Sequence, residues 1–281
     1  MRSDLGDFEL VAAKTLAEAC ERVAQGYRPL AGGTDVMVLL SAGKLAHRRW
    51  VDLGAVDELR AVDVQADALV MGALVTYTDV RRHPVLSREL PMLAQAASET
   101  GGIAIQNRGT LGGNIGNASP AADSPPALLA YDARLVLVSA RGSREIAYDA
   151  FHTGYKRTAA APDELVSHVV VPRRREARLH YYRKVGPRRA QAISKVCFAA
   201  CALSGGGRVR EARVALGGVA PVPLRAVEVE RALVAGDAEA ASEALSRAVV
   251  PIDDVRSTAR YRRRVADNLL RDFLQHVAVA P

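Results

Sequence analysis

Two segments hold residues whose types and spacing could do chemistry. The first is Leu30-Ala31-Gly32-Gly33-Thr34-Asp35-Val36. The second, about 80 residues further on, is Gly109-Thr110-Leu111-Gly112-Gly113-Asn114, with Ser119 and Asp123 downstream. Glycine lets a backbone turn tightly and approach a ligand closely. Successive amide N–H groups in such turns make a concave anion site. Two anion sites on one chain suit a diphosphate flanked by two bulky groups, as in a dinucleotide cofactor. Thr110, Asn114 and Ser119 can donate to phosphate oxygens, and Asp123 can accept from a ribose or ribityl hydroxyl. A purely structural loop could carry the glycines of the second segment but has little need of its polar set. The first segment alone is weaker, because a Gly-Gly turn is common. Neither segment is the Gly-x-Gly-x-x-Gly of a Rossmann unit, and no Gly-Lys-Ser/Thr follows to make a phosphate-binding Walker loop.

Other chemistries lack their residues. No Ser/His/Asp constellation stands out, and His152 and His168 read as structural. The six histidines offer no His-x-x-x-His pair, so no metal site is expected. Three cysteines, Cys20, Cys197 and Cys201, are too few for a disulfide framework or a four-cysteine iron–sulfur cluster. Cys197 and Cys201 would lie one turn apart on a helix or on one face of a strand, and read as small buried residues.

The elements that must position the two loops follow from periodicity. Leu16, Ala19, Cys20 and Val23 mark one face of a helix over Thr15–Ala24. Val36–Leu40 continues the first loop as a helical turn whose N-terminus would face a phosphate. Trp50–Leu53 and Ala68–Ala73 read as strands, completing a small α/β lobe. Helices are expected from Thr76, from Pro91 to Thr100 and over Pro125–Ala130. Strands are expected over Ala133–Val138, Ser143–Ala147 and Glu164–Pro172. Beyond Arg173 the pattern becomes an antiparallel meander (Leu179–Lys184, Ser194–Leu203, Val209–Leu216, with a turn at Gly205–Arg208). Helices then follow over Glu228–Ala235, Ala238–Val249 and Arg260–Val277. The last would bury Tyr261, Val265, Leu269 and Phe273 as one stripe. The fold class is α+β in two lobes, divided near Arg173–Arg178, with domains at 1–173 and 178–281.

With 281 residues, 49% hydrophobic and 25% charged, the chain can bury a large core. No apolar run is long enough for a membrane span. The N-terminus lacks the apolar core of a signal peptide and a twin arginine, so a cytoplasmic setting is expected. The net charge of +7 comes partly from Arg173-Arg174-Arg175, Arg188-Arg189 and Arg260-Tyr261-Arg262-Arg263-Arg264. These short runs, not interleaved with aromatics, read as solvated surface or as contact with a more acidic partner rather than a nucleic-acid face.

Taken together, the segments resemble the FAD-binding subunit of the molybdenum hydroxylases, the xanthine dehydrogenase and carbon monoxide dehydrogenase family. The resemblance is carried by Ala31–Asp35, Asn107–Ile115, Ala118–Leu129, Phe151–Lys156, Ala161–Leu165, Tyr182–Gly186, Arg188–Val196 and Tyr261–Arg263. The run Arg188-Arg189-Ala190-Gln191-Ala192-Ile193-Ser194-Lys195-Val196 is similar to the xanthine dehydrogenase branch. Thr100–Gln106 departs from the family's usual run. The resemblance implies the two-lobed FAD-binding fold of that flavoprotein type, with non-covalent FAD whose diphosphate lies on Leu30–Val36 and Thr110–Asn114. It implies a flavin contact at Asp123, a backbone or apolar contact at Val166, a lysine near the flavin at Lys184 and a further contact at Thr76. It also implies a molybdopterin-containing large subunit and a [2Fe–2S] small subunit as partners, and NAD or another electron acceptor. The alternative is a stand-alone FAD-dependent oxidase or dehydrogenase. A third reading is a scaffold that has lost the cofactor; the intact polar residues of both loops argue against it.

Overall fold

The computed structural model describes residues 6–174, 176, 178–188, 191–205 and 208–278. Gly206 and Gly207 of the expected turn, and Arg175, Arg189 and Ala190 of the arginine-rich runs, lie outside the described residues.

The chain starts with a parallel three-stranded sheet ordered β1-β3-β2, from β1 (Glu9–Ala12), β2 (Arg28–Leu30) and β3 (Arg49–Asp52). Helix α1 (Leu16–Ala24) connects β1 to β2, and α2 (Thr34–Ser41) connects β2 to β3. Thr15 caps α1, its hydroxyl accepting from the Glu18 amide at 3.2 Å. Ala19, Cys20 and Val23 then pack against Val51 and Leu53 in a small core of this lobe.

A five-stranded antiparallel sheet follows, ordered β4-β5-β10-β6-β7: β4 (Val62–Val64), β5 (Ala68–Gly72), β6 (Arg134–Ser139), β7 (Gly142–Ala147) and β10 (Leu165–Pro172). Between β5 and β6 run α3 (Tyr77–Arg82), α4 (Pro84–Glu89), α5 (Pro91–Glu99), α6 (Ile103–Gln106), α7 (Leu111–Gly116) and α8 (Ser124–Ala130). A small hairpin, β8 (His152–Gly154) with β9 (Arg157–Thr158), precedes β10. Alternation places Leu165, Ser167, Val169 and Val171 of β10 inward.

The third sheet is antiparallel, ordered β11-β12-β13-β14: β11 (Leu179–Val185), β12 (Val196–Gly205), β13 (Arg208–Gly217) and β14 (Leu224–Arg225). Helices α9 (Val227–Ala235), α10 (Ala238–Ala248) and α11 (Ala259–Ala278) cover one face. Strand β12 is buried on both sides, which explains its unbroken apolar run. Cys197, Ala199 and Cys201 face the central core beneath α8, while Phe198, Ala200 and Ala202 face the helical core. The two cysteines are therefore on one face of a strand, buried and free.

Two expectations need correcting. On α11 the buried residues are Arg262, Ala266, Leu270 and Phe273; Val265 and Leu269 are only partly buried and Tyr261 is 42% exposed. The helix is rotated because the Arg262 guanidinium is drawn inward, donating to the carbonyls of Lys195 (2.9 Å) and Gly218 (2.8 Å) and to Asp254 (2.7 Å). Arg173 and Arg174 are likewise not plain solvated surface. Arg173 grips Glu89 in a bidentate pair at 2.8 Å, and Arg174 pairs with Asp132 and Glu211. Arg213 and Arg225 also reach Asp132, so an ionic cluster joins α8 to the third sheet at the seam between the lobes.

Candidate functional site

The first glycine loop leaves β2 and opens α2. Gly33 is the N-cap residue with φ 73°, in the left-handed region that glycine tolerates, and offers no side-chain cap. The first helical hydrogen bond is Met37 N–H to the Gly33 carbonyl, so the amides of Thr34, Asp35 and Val36 have no intrahelical acceptor. That end also carries the positive pole of the helix dipole. Leu30 ends β2, its carbonyl accepting from Leu53, and Ala31 packs against the small core.

The second loop meets the first directly. A Cβ built on Gly32 would lie 1.7 Å from the Arg108 carbonyl oxygen and 3.2 Å from the Gly109 nitrogen. The two backbones are therefore in contact, and Arg108 Nε reaches back to the Gly32 carbonyl at 3.4 Å.

The second loop is itself a short helix, α7, and this changes the role of its glycines. Thr110 caps it, its Oγ1 accepting from Gly113 N–H at 3.0 Å. Leu111 N–H donates to Val75, Gly112 N–H to Ala73 and Asn114 N–H to Thr110. Within the expected Thr110–Asn114 cradle, the amides of Leu111, Gly112, Gly113 and Asn114 are thus already donated within the chain. Gly112 is required by packing, since a Cβ there would come 2.5 Å from that of Ala73; at Gly109 it would meet the Tyr77 ring at 2.8 Å. Side-chain donors at this loop include the Thr110 hydroxyl, the Asn114 side-chain nitrogen, whose Oδ1 accepts from Ser124 at 2.6 Å, and the Ser119 hydroxyl, whose oxygen accepts from Ala121 N–H at 3.4 Å. Leu111 is wholly buried in the core. Thr76 caps α3, its hydroxyl and amide both bonded to Asp79. Val166 pairs with Leu137 on β6 and packs partly buried against the central core.

Asp123 and Lys184, 61 residues apart, form one buried ion pair at 2.7 Å, with side chains 9% and 3% exposed. Asp123 Oδ1 accepts from the Ser194 hydroxyl at 2.5 Å. Lys184 also donates to the Glu99 carbonyl at 2.8 Å. The Tyr182 hydroxyl donates to the Asp123 carbonyl at 3.1 Å, and the Cys197 thiol donates to Tyr182. Burial raises the Asp123 carboxyl above its ordinary range, with Lys184 and then Ser194 opposing the rise. Sequence reasoning found Asp123 and Lys184 separately and missed Ser194, Glu99 and Tyr182. A lone serine or a backbone carbonyl carries no pattern that could have found them.

Lys156 was also missed. From the β8–β9 turn it donates to the Asn117 carbonyl (2.7 Å) and side chain (2.9 Å) at the end of α7. Burial lowers its ammonium, and Asp35 pulls it back up. Burial raises the Tyr77 hydroxyl, and both Asp123 and Asp35 push it further. His152 sits against Tyr148 and Phe151, its Nε2 3.1 Å from the Tyr148 hydroxyl. A 660 Å³ cleft lies elsewhere, between α1 and the β6–β7 turn, lined by Thr15, Cys20, Glu58 and Ser143. It presents neither the uncapped amides nor the ion pair. Among the described residues no cluster of three His, Cys, Asp or Glu could hold a metal, and no helix is long and apolar enough to cross a membrane.

The arrangement offers an anion site at the α2 N-terminus, a second polar edge on α7 and a buried ion pair beneath. The FAD binding domain in molybdopterin dehydrogenase matches residues 6–174, and the CO dehydrogenase flavoprotein C-terminal domain matches residues 180–277. The chain is 33% identical over 278 residues to a putative xanthine dehydrogenase FAD-binding subunit of Escherichia coli, covering 95% of each chain. It is 30% identical to the glyceraldehyde dehydrogenase medium chain of Sulfolobus acidocaldarius, covering 97% of this chain and 99% of that one. Among solved structures it superimposes on a chain of the carbon monoxide dehydrogenase from Hydrogenophaga pseudoflava with a TM-score of 0.93, at 28% identity and 98% coverage of both.

Proposed function

The chain belongs to the FAD-binding (medium) subunits of the molybdenum hydroxylase family, xanthine and CO dehydrogenase type, and from that premise we propose its place in an electron relay. A large molybdopterin-containing partner oxidises the substrate. A small [2Fe–2S] partner carries the electrons to this chain, and NAD or another acceptor takes them away. Bound FAD supplies the exchange between one-electron and two-electron carriers.

The residues present fit that cofactor. Uncapped amides of Thr34, Asp35 and Val36, with Gly33 left-handed ahead of them, suit a diphosphate. Leu30, Ala31 and Gly32 bring the backbone up to it, and the bare Cα of Gly32 lets the second loop close against the first. From that loop Thr110 and Asn114 reach the cofactor with side chains. Gly109, Leu111, Gly112 and Gly113 contribute backbone surface held by Tyr77, Val75, Ala73 and Thr110. Val166 supplies an apolar contact, and Thr76 fixes the loop beside Thr110 through a backbone bridge. Asp123 and Lys184 orient the flavin end, the lysine stabilising negative charge there and the aspartate holding the lysine in place.

The single observation that carries this reading is the backbone contact between Gly32 and Arg108, which joins two segments distant in sequence into one cradle. The stand-alone oxidase is not favoured, because the relatives are named as subunits or medium chains. Three free cysteines agree with the cytoplasmic setting this reading assigns. The test is refolding of the purified chain with excess FAD, followed by gel filtration and an absorption spectrum. About one flavin per chain is expected; a chain that elutes folded but without flavin bands overturns the reading.

A further inference from the structure

Just before β11, at the seam between the lobes, one guanidinium is taken out of water and left short of acceptors. The Arg178 side chain is 3% exposed. Its Nη2 donates to Glu211 at 2.7 Å and to Glu176 at 3.1 Å. Its Nε–H and Nη1–H groups are buried and find no acceptor among the described residues. Such donors are ordinarily paired, because burial strips them of the water they would otherwise bond. Arg178 lines a 20 Å³ cavity that has Leu69, Leu90 and Pro172 in its wall. That volume holds about one water-sized body.

We propose that this cavity is a binding site for a monovalent anion of chloride size, held by Arg178, and that the bound anion fastens the two lobes together. Charge argues for an anion over a water molecule. Four guanidiniums, those of Arg174, Arg178, Arg213 and Arg225, share three largely buried carboxylates, those of Asp132, Glu211 and Glu230. The remaining carboxylate, Glu176, is 64% exposed, so water screens its charge. The buried cluster is therefore one negative charge short, and the shortfall falls on the guanidinium with unused donors. A water would accept from Arg178 without cancelling its charge, and a buried charge left uncompensated is costly. The other cationic groups of the lining do not compete for the ion. Arg173 is matched by Glu89 in their bidentate pair, and Arg174 by Asp132 and Glu211. His180 adds no cation, because burial and then the Arg178 charge lower its pKa. Size sets the class, since a cavity for one water-sized body has no room for phosphate or sulfate. Position sets the effect. Leu69 and Pro172 come from the five-stranded sheet, and His180 and Cys201 from the third, so an ion here touches both lobes.

The test uses the full-length chain and two probes, chloride and bromide. Potassium gluconate is replaced stepwise by potassium chloride at a constant ionic strength of about 0.2 M, which holds screening fixed. The melting temperature should rise by about 2–5 °C and saturate, as a ligand in about tenfold excess over its Kd does for a chain of this size. Bromide should give a similar rise. Arg178→Met keeps an unbranched stem and removes the donors, and Glu211 retains Arg174 and Arg213. That variant should respond by less than about 1 °C. Crystals of the wild type grown in bromide should show an anomalous peak within about 3.5 Å of Arg178 Nε or Nη1. The crystals and the wild-type titration decide the matter even if the variant does not fold. The proposal is overturned if chloride and gluconate give the same melting temperature, or if Arg178→Met keeps the full response. It is also overturned if the density beside Arg178 is a water with no anomalous signal. A bromide peak there without any effect on melting marks an adventitious ion only, and overturns it as well.

Discussion

Replacing Gly32 with alanine adds one methyl group at the point where the cradle is assembled. That methyl would sit 1.7 Å from the Arg108 carbonyl oxygen and 2.6 Å from its carbon. Ordinary contact begins at 3.4 Å, so the loops must part by about 1.7 Å. The obstacle is backbone and cannot swing aside as a side chain would. An amide bonded to phosphate at about 2.9 Å is lost when its acceptor moves that far. Each such bond to a charged group contributes ~1.5–3 kcal/mol. Losing two weakens FAD by ~3–6 kcal/mol, or roughly 10²- to 10⁴-fold in Kd. Fold stability should fall by only ~1–3 kcal/mol, as for other overpacked sites. Quenching of FAD fluorescence on titration with refolded protein reads the first number, and urea unfolding the second. Gly116→Ala is the control. Gly116 ends α7, has no atom within 4 Å of a built Cβ, and lacks a positive φ. Alanine there should leave Kd unchanged and stabilise by ~0.5–1 kcal/mol. A folded Gly32→Ala protein with wild-type FAD affinity refutes the idea that the junction forms the site.

Lys184→Met leaves Asp123 buried without its cation, and should cost ~3–5 kcal/mol at neutral pH. Adding Asp123→Asn should recover part of it in urea unfolding; additive losses would show that the two do not act as a pair. Burial lowers His152 from 6.5 to about 4. Its unfolded state binds the proton first, so stability present above pH 6.5 is lost as pH falls toward 4, by up to ~1.4 kcal/mol per pH unit. His152→Gln should flatten that part of the melting-temperature profile, and an unchanged slope would assign it to other groups. All three thiols are buried, with Cys201 pushed up to about 11 and Cys20 and Cys197 also raised, each chiefly by burial. Ellman's reagent at about pH 8 should find Cys197 and Cys201 only after unfolding, since the thiolate is the reactive form; fast reaction of either in the folded protein would contradict the packing of β12.

Much of the fold was legible because its signals are local. The Leu16, Ala19, Cys20 and Val23 face located α1 to within a residue, and the apolar run over β12 was read as a strand. What failed depended on distant groups. The stripe on α11 was misjudged because Arg262 is held inside by Lys195, Gly218 and Asp254, which no helical periodicity reveals. Strands β1 and β2 escaped notice because four and three residues carry too little alternation. For the candidate site, glycine density pointed to two segments that meet in the structure but not to how each uses its glycines. The same Gly-Gly pair opens an uncapped helix in one loop and permits close packing on Ala73 in the other.

That difference decides which groups remain to hold an anion. In α7 every early amide has an internal acceptor, so the loop is rigid before any ligand arrives and contributes side chains and shape. In α2 the first-turn amides have no helical acceptor, so that end keeps the positive potential. Beneath both, Asp123, Lys184 and Ser194 satisfy one another instead of waiting for a substrate. A carboxylate so engaged is a poor general base, since giving up its bonds would leave Lys184 buried and unpaired. The pair instead fixes a cation in a dry site, where its field acts on a neighbour with little screening. A chain built this way positions a redox group and tunes it electrostatically.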